Sequence, residues 1–430
     1  MKLELHRLNV KCVKFGDKTG FDGGTLTVNK SELLALIAED PLLGANISAD
    51  IAMPGDSTRI MPVKDVIEPR WKISGKGQVF PGMLSDVETV GEGATLVLSG
   101  CAVLTAGKLV RFQEGIIDMS GPGAEYTPYS KTCNVVLVLE PSDPNMDKHD
   151  YEKACRMAGL KAAAYLAECC AGCKADSVET YEMPTIREAM TAYPELPKAG
   201  YIYMLQTQGL LHDTYLYGVD VKRILPTIIS PLEVMDGAIV SGNCVSACDK
   251  NNTYAHLNNP VIAEMLRRHG KDFNFVAVIV TNENVTLADK RRSSSYATKL
   301  AAMLGLDGVI ITEEGFGNPD ADLIMNCRKC EQLGIKTALL TDEYAGQDGA
   351  SQSLADSCPE GNACVTAGNA NEVITLPAMS KIIGYPEEAN VIAGGWQGSL
   401  AEDGSITVEL QAITGATSEL GYTKLGAYTL

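Results

Sequence analysis

Basic residues are in short supply. Thirty-six Lys and Arg against 54 Asp and Glu leave a formal charge of −18 and a pI near 4.8, which argues against nucleic acid or an anionic membrane as a partner. No apolar run approaches the roughly 18 residues that a membrane-spanning helix needs. The N-terminal stretch MKLELHRLNVKCVKFGD carries a charge every few residues and lacks an apolar h-region, so no secretory signal is expected. There is no internal repeat, no low-complexity segment and no long linker. The five histidines never stand at metal-ligand spacing, no G-x-G-x-x-G follows a strand-like run, and no P-loop occurs.

What is present describes a globular chain. With 430 residues, 45% of them apolar, the chain can bury more than one core. Thirteen cysteines without a secretory signal suggest reduced thiols in a cytoplasm rather than a disulfide framework.

The texture changes along the chain. Residues 1–130 read as a β-rich region, with short runs such as Thr25–Val28, Lys72–Ile73 and Ala94–Leu98 set between Gly, Asp and Pro turns. Residues 131–243 and 244–430 read as α/β. The continuous apolar run CNVVLVL, Cys133–Leu139, predicts a strand buried on both faces, and Asp150–Cys173 has helical spacing. Strands are expected over Ala199–Met204, Phe275–Val280, Gly308–Ile311 and Thr337–Leu340, with helices over Ser294–Leu304 and Asp320–Leu333. The predicted fold class is therefore α/β, a β-rich N-terminal region followed by βαβ layers with a largely parallel sheet. Sites in such sheets lie beyond the carboxyl ends of strands. Three polar clusters fall there: Thr281-Asn282-Glu283-Asn284, Thr312-Glu313-Glu314-Gly315 and Thr341-Asp342-Glu343-Tyr344.

Two C-x-x-C pairs, Cys170/Cys173 and Cys327/Cys330, stand too far apart for a zinc ribbon. Both lie in helical text, where i and i+3 share a face, so buried helix cysteines and no metal site are expected. His212, beside Asp213 after a predicted strand, is the one histidine in a loop of the kind that builds sites. The stretch SGNCVSACDK, Ser241–Lys250, places Asn243-Cys244 after a glycine that permits strained backbone. Core filling, metal ligation and nucleophilic catalysis are all open to Cys244. So is attack of its thiolate on the Asn243 carbonyl, an N-to-S acyl shift that converts the peptide bond to a thioester. β-Elimination and hydrolysis would then leave a pyruvoyl group on the new N-terminus.

Longer segments carry a resemblance: FQEGIIDMSGPGAEYTP (112–128), YMLQTQGLLHDTYLYGVD (203–220), EVMDGAIVSGNCVSACDKN (233–251), EEGFGNPDADLIMNC (313–327), LTDEYAGQDGASQSLAD (340–356) and GNANEV (368–373). Nearly end to end, the chain resembles the component B proproteins of the glycine/sarcosine/betaine reductase family. The cluster at Cys169–Cys173 and Cys330 depart from that family's pattern, which argues further against a metal role. The resemblance implies cleavage between Asn243 and Cys244, conversion of Cys244 to a pyruvoyl cofactor, and a Schiff base between its ketone and glycine. It also implies a selenoprotein subunit of component B, selenoprotein A, protein C and thioredoxin as partners in reductive deamination to acetyl phosphate and ammonia. Glu125, His212, Asp213 and Asp249, in the most distinctive loops, are candidate substrate-binding residues. Sarcosine or betaine reductase counterparts and the proline reductase proprotein are the neighbouring alternatives. An uncleaved amino-acid-binding module is the alternative of a different class.

Overall fold

Cys133–Leu139 is a strand over those same residues, buried almost throughout, because it lies inside a sheet covered on both sides. Its neighbours are Cys101–Gly107, in parallel, and Ser48–Ala52, antiparallel. Thr58–Ile67 and Gly115–Asp118 continue the sheet beyond Cys101–Gly107. The computed structural model describes residues 1–208, 214–242 and 250–420. A second N-terminal sheet has the order Ser177–Glu182, Lys2–Asn9, Gly93–Ser99, Arg70–Ser74. Helix Lys148–Glu168 packs over these strands, burying alanines and Leu160 and Leu166 where small side chains allow close approach.

The helix ends earlier than its spacing suggests. Cys170 and Cys173 lie in the turn after Glu168, Cys170 buried and Cys173 half-buried, so they are not helix residues as expected. The chain must reverse there to run antiparallel to Lys2–Asn9. Asp176 fixes that reversal, donating its N–H to the Arg7 carbonyl at 2.8 Å and accepting from Asn9 N at 2.7 Å. Cys327 and Cys330 do lie in helix Asp320–Gln332, both fully buried. Among the described residues no group of three or more His, Cys, Asp or Glu is arranged to hold a metal ion, and no helix is long and apolar enough to cross a membrane.

The α/β half is built on six strands in the order Thr227–Ile229, Asn274–Asn282, Lys198–Leu205, Gly308–Thr312, Lys336–Glu343, Cys364–Asn369. All neighbours are parallel except the first pair. Along the central strand, Lys198–Leu205, alternate side chains enter different cores. Tyr201, Tyr203 and Leu205 meet Ile262 and Met265 of helix Pro260–Arg268, while Ile202 and Met204 meet Ala297, Leu323 and Cys327 of helices Leu287–Met303 and Asp320–Gln332.

Strand order decides where a site can form. The chain leaves Lys198–Leu205 for a neighbour on one side, then crosses to Gly308–Thr312 on the other and continues away from it. The carboxyl ends of these two adjacent strands therefore face a topological switch point, where connections diverge and open a crevice. The central strand precedes position 243 in sequence, and both of its neighbours follow it. Strand Lys381–Gly384 likewise returns to pair with Thr58–Ile67.

Candidate functional site

Asn243, Cys244 and Asp249, and likewise His212 and Asp213, lie outside the described residues. The residues flanking both segments are described, and they converge. Thr214 pairs with Ser241 across two antiparallel strands. Lys250, buried, donates from Nζ to Ser241 Oγ at 2.9 Å. On the sheet side, Gln206 and Asn251 donate their backbone N–H groups to the two oxygens of one carboxylate, Glu314 Oε2 at 2.7 Å and Oε1 at 3.1 Å. Glu314 follows strand Gly308–Thr312, so this bridge spans the switch point.

The polar run after the second segment looks like surface in the sequence and is buried throughout. Each residue is held by a distant element, as buried polar groups must be. Asn251 donates from Nδ2 to Glu419 Oε1 at 2.8 Å. The Asn252 side chain caps helix Thr253–Leu257 by accepting from Ala255 N, and bonds the Tyr129 hydroxyl. Thr253 donates its N–H and hydroxyl to Asp65 at 2.9 and 2.7 Å, and its hydroxyl accepts from Ser241 N at 3.0 Å. Residues 250–253 thus form a fixed bank that follows residues 243–249 in the sequence.

Further buried groups close around Glu314. Glu283 Oε1 accepts from Glu314 N at 2.9 Å, and Thr341 donates to Glu313 Oε2 at 2.9 Å. The Tyr203 hydroxyl meets His256 Nδ1 at 2.7 Å, while His256 Nε2 lies 3.9 Å from Glu314 Oε1. Burial dominates the electrostatics. It pushes Glu314 and Asp65 each up to about 7, against the downward pull of Lys250 and of the donors that bond them. Burial likewise raises Glu283, Glu313, Asp342 and Glu419. His256 is held down to about 3 by burial and then by the Lys250 charge, against a weaker opposite pull from the Asn251 backbone. It is a neutral imidazole at pH 7, so its approach to Glu314 is not an ion pair.

The sequence profile of the family described as glycine/sarcosine/betaine reductase component B subunits matches residues 1–428. The chain belongs to that family. It is 61% identical over 431 residues, covering both chains fully, to a protein of Acetoanaerobium sticklandii named "Glycine reductase complex component B subunits alpha and beta". A protein of the same name from Peptoclostridium acidaminophilum is 58% identical over 99% of each chain. A "Sarcosine reductase complex component B subunit alpha" from that organism is 52% identical, again over 99% of each. No solved structure matches the chain.

Within this component B chain, Glu125 sits exposed in the short turn Pro122–Tyr126. Its loop reaches the buried cluster through Tyr129 instead. Glu314, Lys250, His256 and Asp65 were not singled out as site residues from the sequence. Glu314 did stand in one of the three strand-end clusters, but nothing local distinguished that cluster from the other two. The described geometry can hold protons away from water, orient the two segments at their ends, and accept hydrogen bonds from a nitrogen-bearing group.

Proposed function

We propose that this chain is the amino-acid-activating component of a glycine reductase complex, and that it is divided between Asn243 and Cys244 into two pieces that stay together. The observation that carries the reading is the convergence, at the switch point, of the residues flanking 209–213 and 243–249 on Ser241 and Glu314. The name of the two glycine relatives supports it, since one chain of matching length there stands for both an alpha and a beta subunit. Those two are also more similar to this chain than the sarcosine relative.

In this reading residue 244 becomes a pyruvoyl group, whose ketone supplies an electrophile for a primary amine. The described residues fit such a group. Gln206 Oε1 and, in one tautomer, His256 Nε2 are buried acceptors with no hydrogen-bond partner among the described residues, suited to an amine's N–H groups, while Glu283 Oε2, Glu419 Oε2 and both Asp342 oxygens are likewise unpartnered on carboxyls that burial raises. The clamp between Lys250 and Ser241 holds both banks of the segment in place. Glu314, poised near neutrality, can hold or release a proton at Oε1 beside His256. Burial of the whole set keeps water from competing. The carbon–nitrogen bond of glycine is then broken by a nucleophile from the selenoprotein subunit. Selenoprotein A, protein C and thioredoxin carry the product onward to acetyl phosphate.

A denaturing gel with mass spectrometry tests this. Wild type should yield residues 1–243 and a piece beginning at position 244 with a ketone in place of the cysteine. Cys244→Ala should remain one full-length chain. A wild type that stays intact through purification, with an unmodified Cys244, would refute the reading.

A further inference from the structure

The acceptor surplus around Glu314 bears on which nitrogen the site takes. Three observations coincide there. The Glu314 carboxylate is fixed by two backbone donors, from Gln206 and Asn251, so it cannot swing away. Two uncharged, buried side chains of residues that meet Glu314 carry polar atoms with no hydrogen-bond partner among the described residues. One is Gln206, whose own backbone N–H bonds Glu314, through Oε1; the other is His256 through Nε2. Hydroxyl donation from Tyr203 or donation by His256 Nδ1 are both open at 2.7 Å, and the second leaves Nε2 as an acceptor.

A quaternary nitrogen has no N–H to offer these atoms and is held instead by aromatic faces. The two tyrosine rings of the central strand do not serve. Tyr201 and Tyr203 stack on each other with centroids 5.0 Å apart, and their hydroxyls are committed to Thr312 and His256. A site with buried acceptors rejects an analogue lacking the donors, because those acceptors are then left unpaired.

We propose that Glu314, with Gln206 Oε1 and His256 Nε2, is the specificity-determining set for the substrate nitrogen, accepting nitrogens that carry N–H groups and refusing a quaternary one. The assignment rests on the reading of this chain as an amino-acid-activating component. Gln206 and His256 extend the role to two other places in the fold, the residue just after strand Lys198–Leu205 and helix Thr253–Leu257.

Equilibrium dialysis of the full-length Cys244→Ala chain against labelled glycine, sarcosine and betaine separates recognition from covalent capture. Glycine and sarcosine should each bind about tenfold or more tighter than betaine. Gln206→Met keeps the side chain's length without the acceptor, and should weaken glycine binding about tenfold at an unchanged melting temperature. Glu314→Gln should abolish glycine binding. Betaine binding as tightly as glycine, or no binding of any of the three, overturns the assignment. So does unchanged glycine binding in folded Gln206→Met. If Glu314→Gln does not fold, the discrimination between glycine and betaine and the Gln206→Met result decide the matter. The denaturing gel of wild type reports separately on the proposed function. An intact wild-type chain whose Cys244→Ala form still prefers glycine would sink the processing mechanism and leave the specificity set standing.

Discussion

Division of the chain at position 243 should not release its halves. Strand Lys198–Leu205 belongs to the first piece, yet it is hydrogen-bonded on one edge to Asn274–Asn282 and on the other to Gly308–Thr312, both of the second. Along these edges Tyr201, Ile202, Tyr203, Met204 and Leu205 meet Phe275, Val278, Ile279, Val280 and Ile311, all without exposed surface. At about 1.5–3 kcal/mol for each buried side chain, re-exposing this set costs roughly 15–30 kcal/mol. Holding two separate bodies together costs about 4–15 kcal/mol in lost freedom. Midway through both ranges the difference is about 13 kcal/mol, which corresponds to a dissociation constant just below nanomolar. Met61 and Ile116, packed with Ile392, Leu410 and Ile413 of the second piece, tighten it further. Size-exclusion chromatography of the divided protein, diluted to low nanomolar concentration, should therefore give one peak that resolves into two bands only on a denaturing gel. The same should hold for Cys244→Ala with a protease site inserted between 244 and 249 and then cut. Pieces that elute separately at micromolar concentration in native buffer would refute the argument, because a strand with two intact ladders cannot leave cheaply.

Cys248→Ala should still divide at 243, since its sulfur is not adjacent to the scissile carbonyl; loss of division in that variant alone, on the same gel, would mean that the wrong sulfur is assigned. Stability should fall as pH rises from mildly acid to neutral. Asp65 and Glu314 titrate near 7 when folded against ordinary values of 3.8 and 4.5, so their stabilisation is full below about pH 4 and lost above about pH 7. His256, near 3 instead of 6.5, acts oppositely below about pH 6.5. The acids outnumber the one histidine, and the other carboxyls that burial raises act in the same sense, so pH 5.5 is favoured over pH 7.5. Thermal melts should show this and Asp65→Asn should reduce it, whereas a flat or reversed profile contradicts the assignment. Tyr129→Phe removes the hydroxyl that meets Asn252 at 2.8 Å and should cost about 1–3 kcal/mol. It should also slow division by loosening residues 250–253, and an unchanged melting temperature together with an unchanged division rate would argue against that bank.

Local pattern carried far in this chain. Apolar runs and helical spacing determined the α/β class, and strands such as Thr25–Val28 and Cys133–Leu139 coincide with the runs that predicted them, the first because alternation puts Leu26 and Val28 on one buried face, the second because burial on both faces favours a continuous apolar run. The helix after Asp150 ran past its end in the sequence reading, since Cys169–Cys173 can propagate a helix and only the pairing demanded by Lys2–Asn9 turns the chain there. The motif around Asn243 and Cys244 was legible as chemistry, because a thiol next to a carbonyl is a relation between neighbours. What surrounds it was not. Asn251, Asn252 and Thr253 have the composition of a surface loop, and they are buried only because Glu419, Tyr129 and Asp65, each more than a hundred positions away, supply their hydrogen bonds. The clusters at 281–284, 312–315 and 341–344 were equivalent as text. Strand order alone set Glu314 at the switch point opposite Gln206, and strand order depends on which edge each crossover chooses, a choice made by the packed sheet and not by any window of residues.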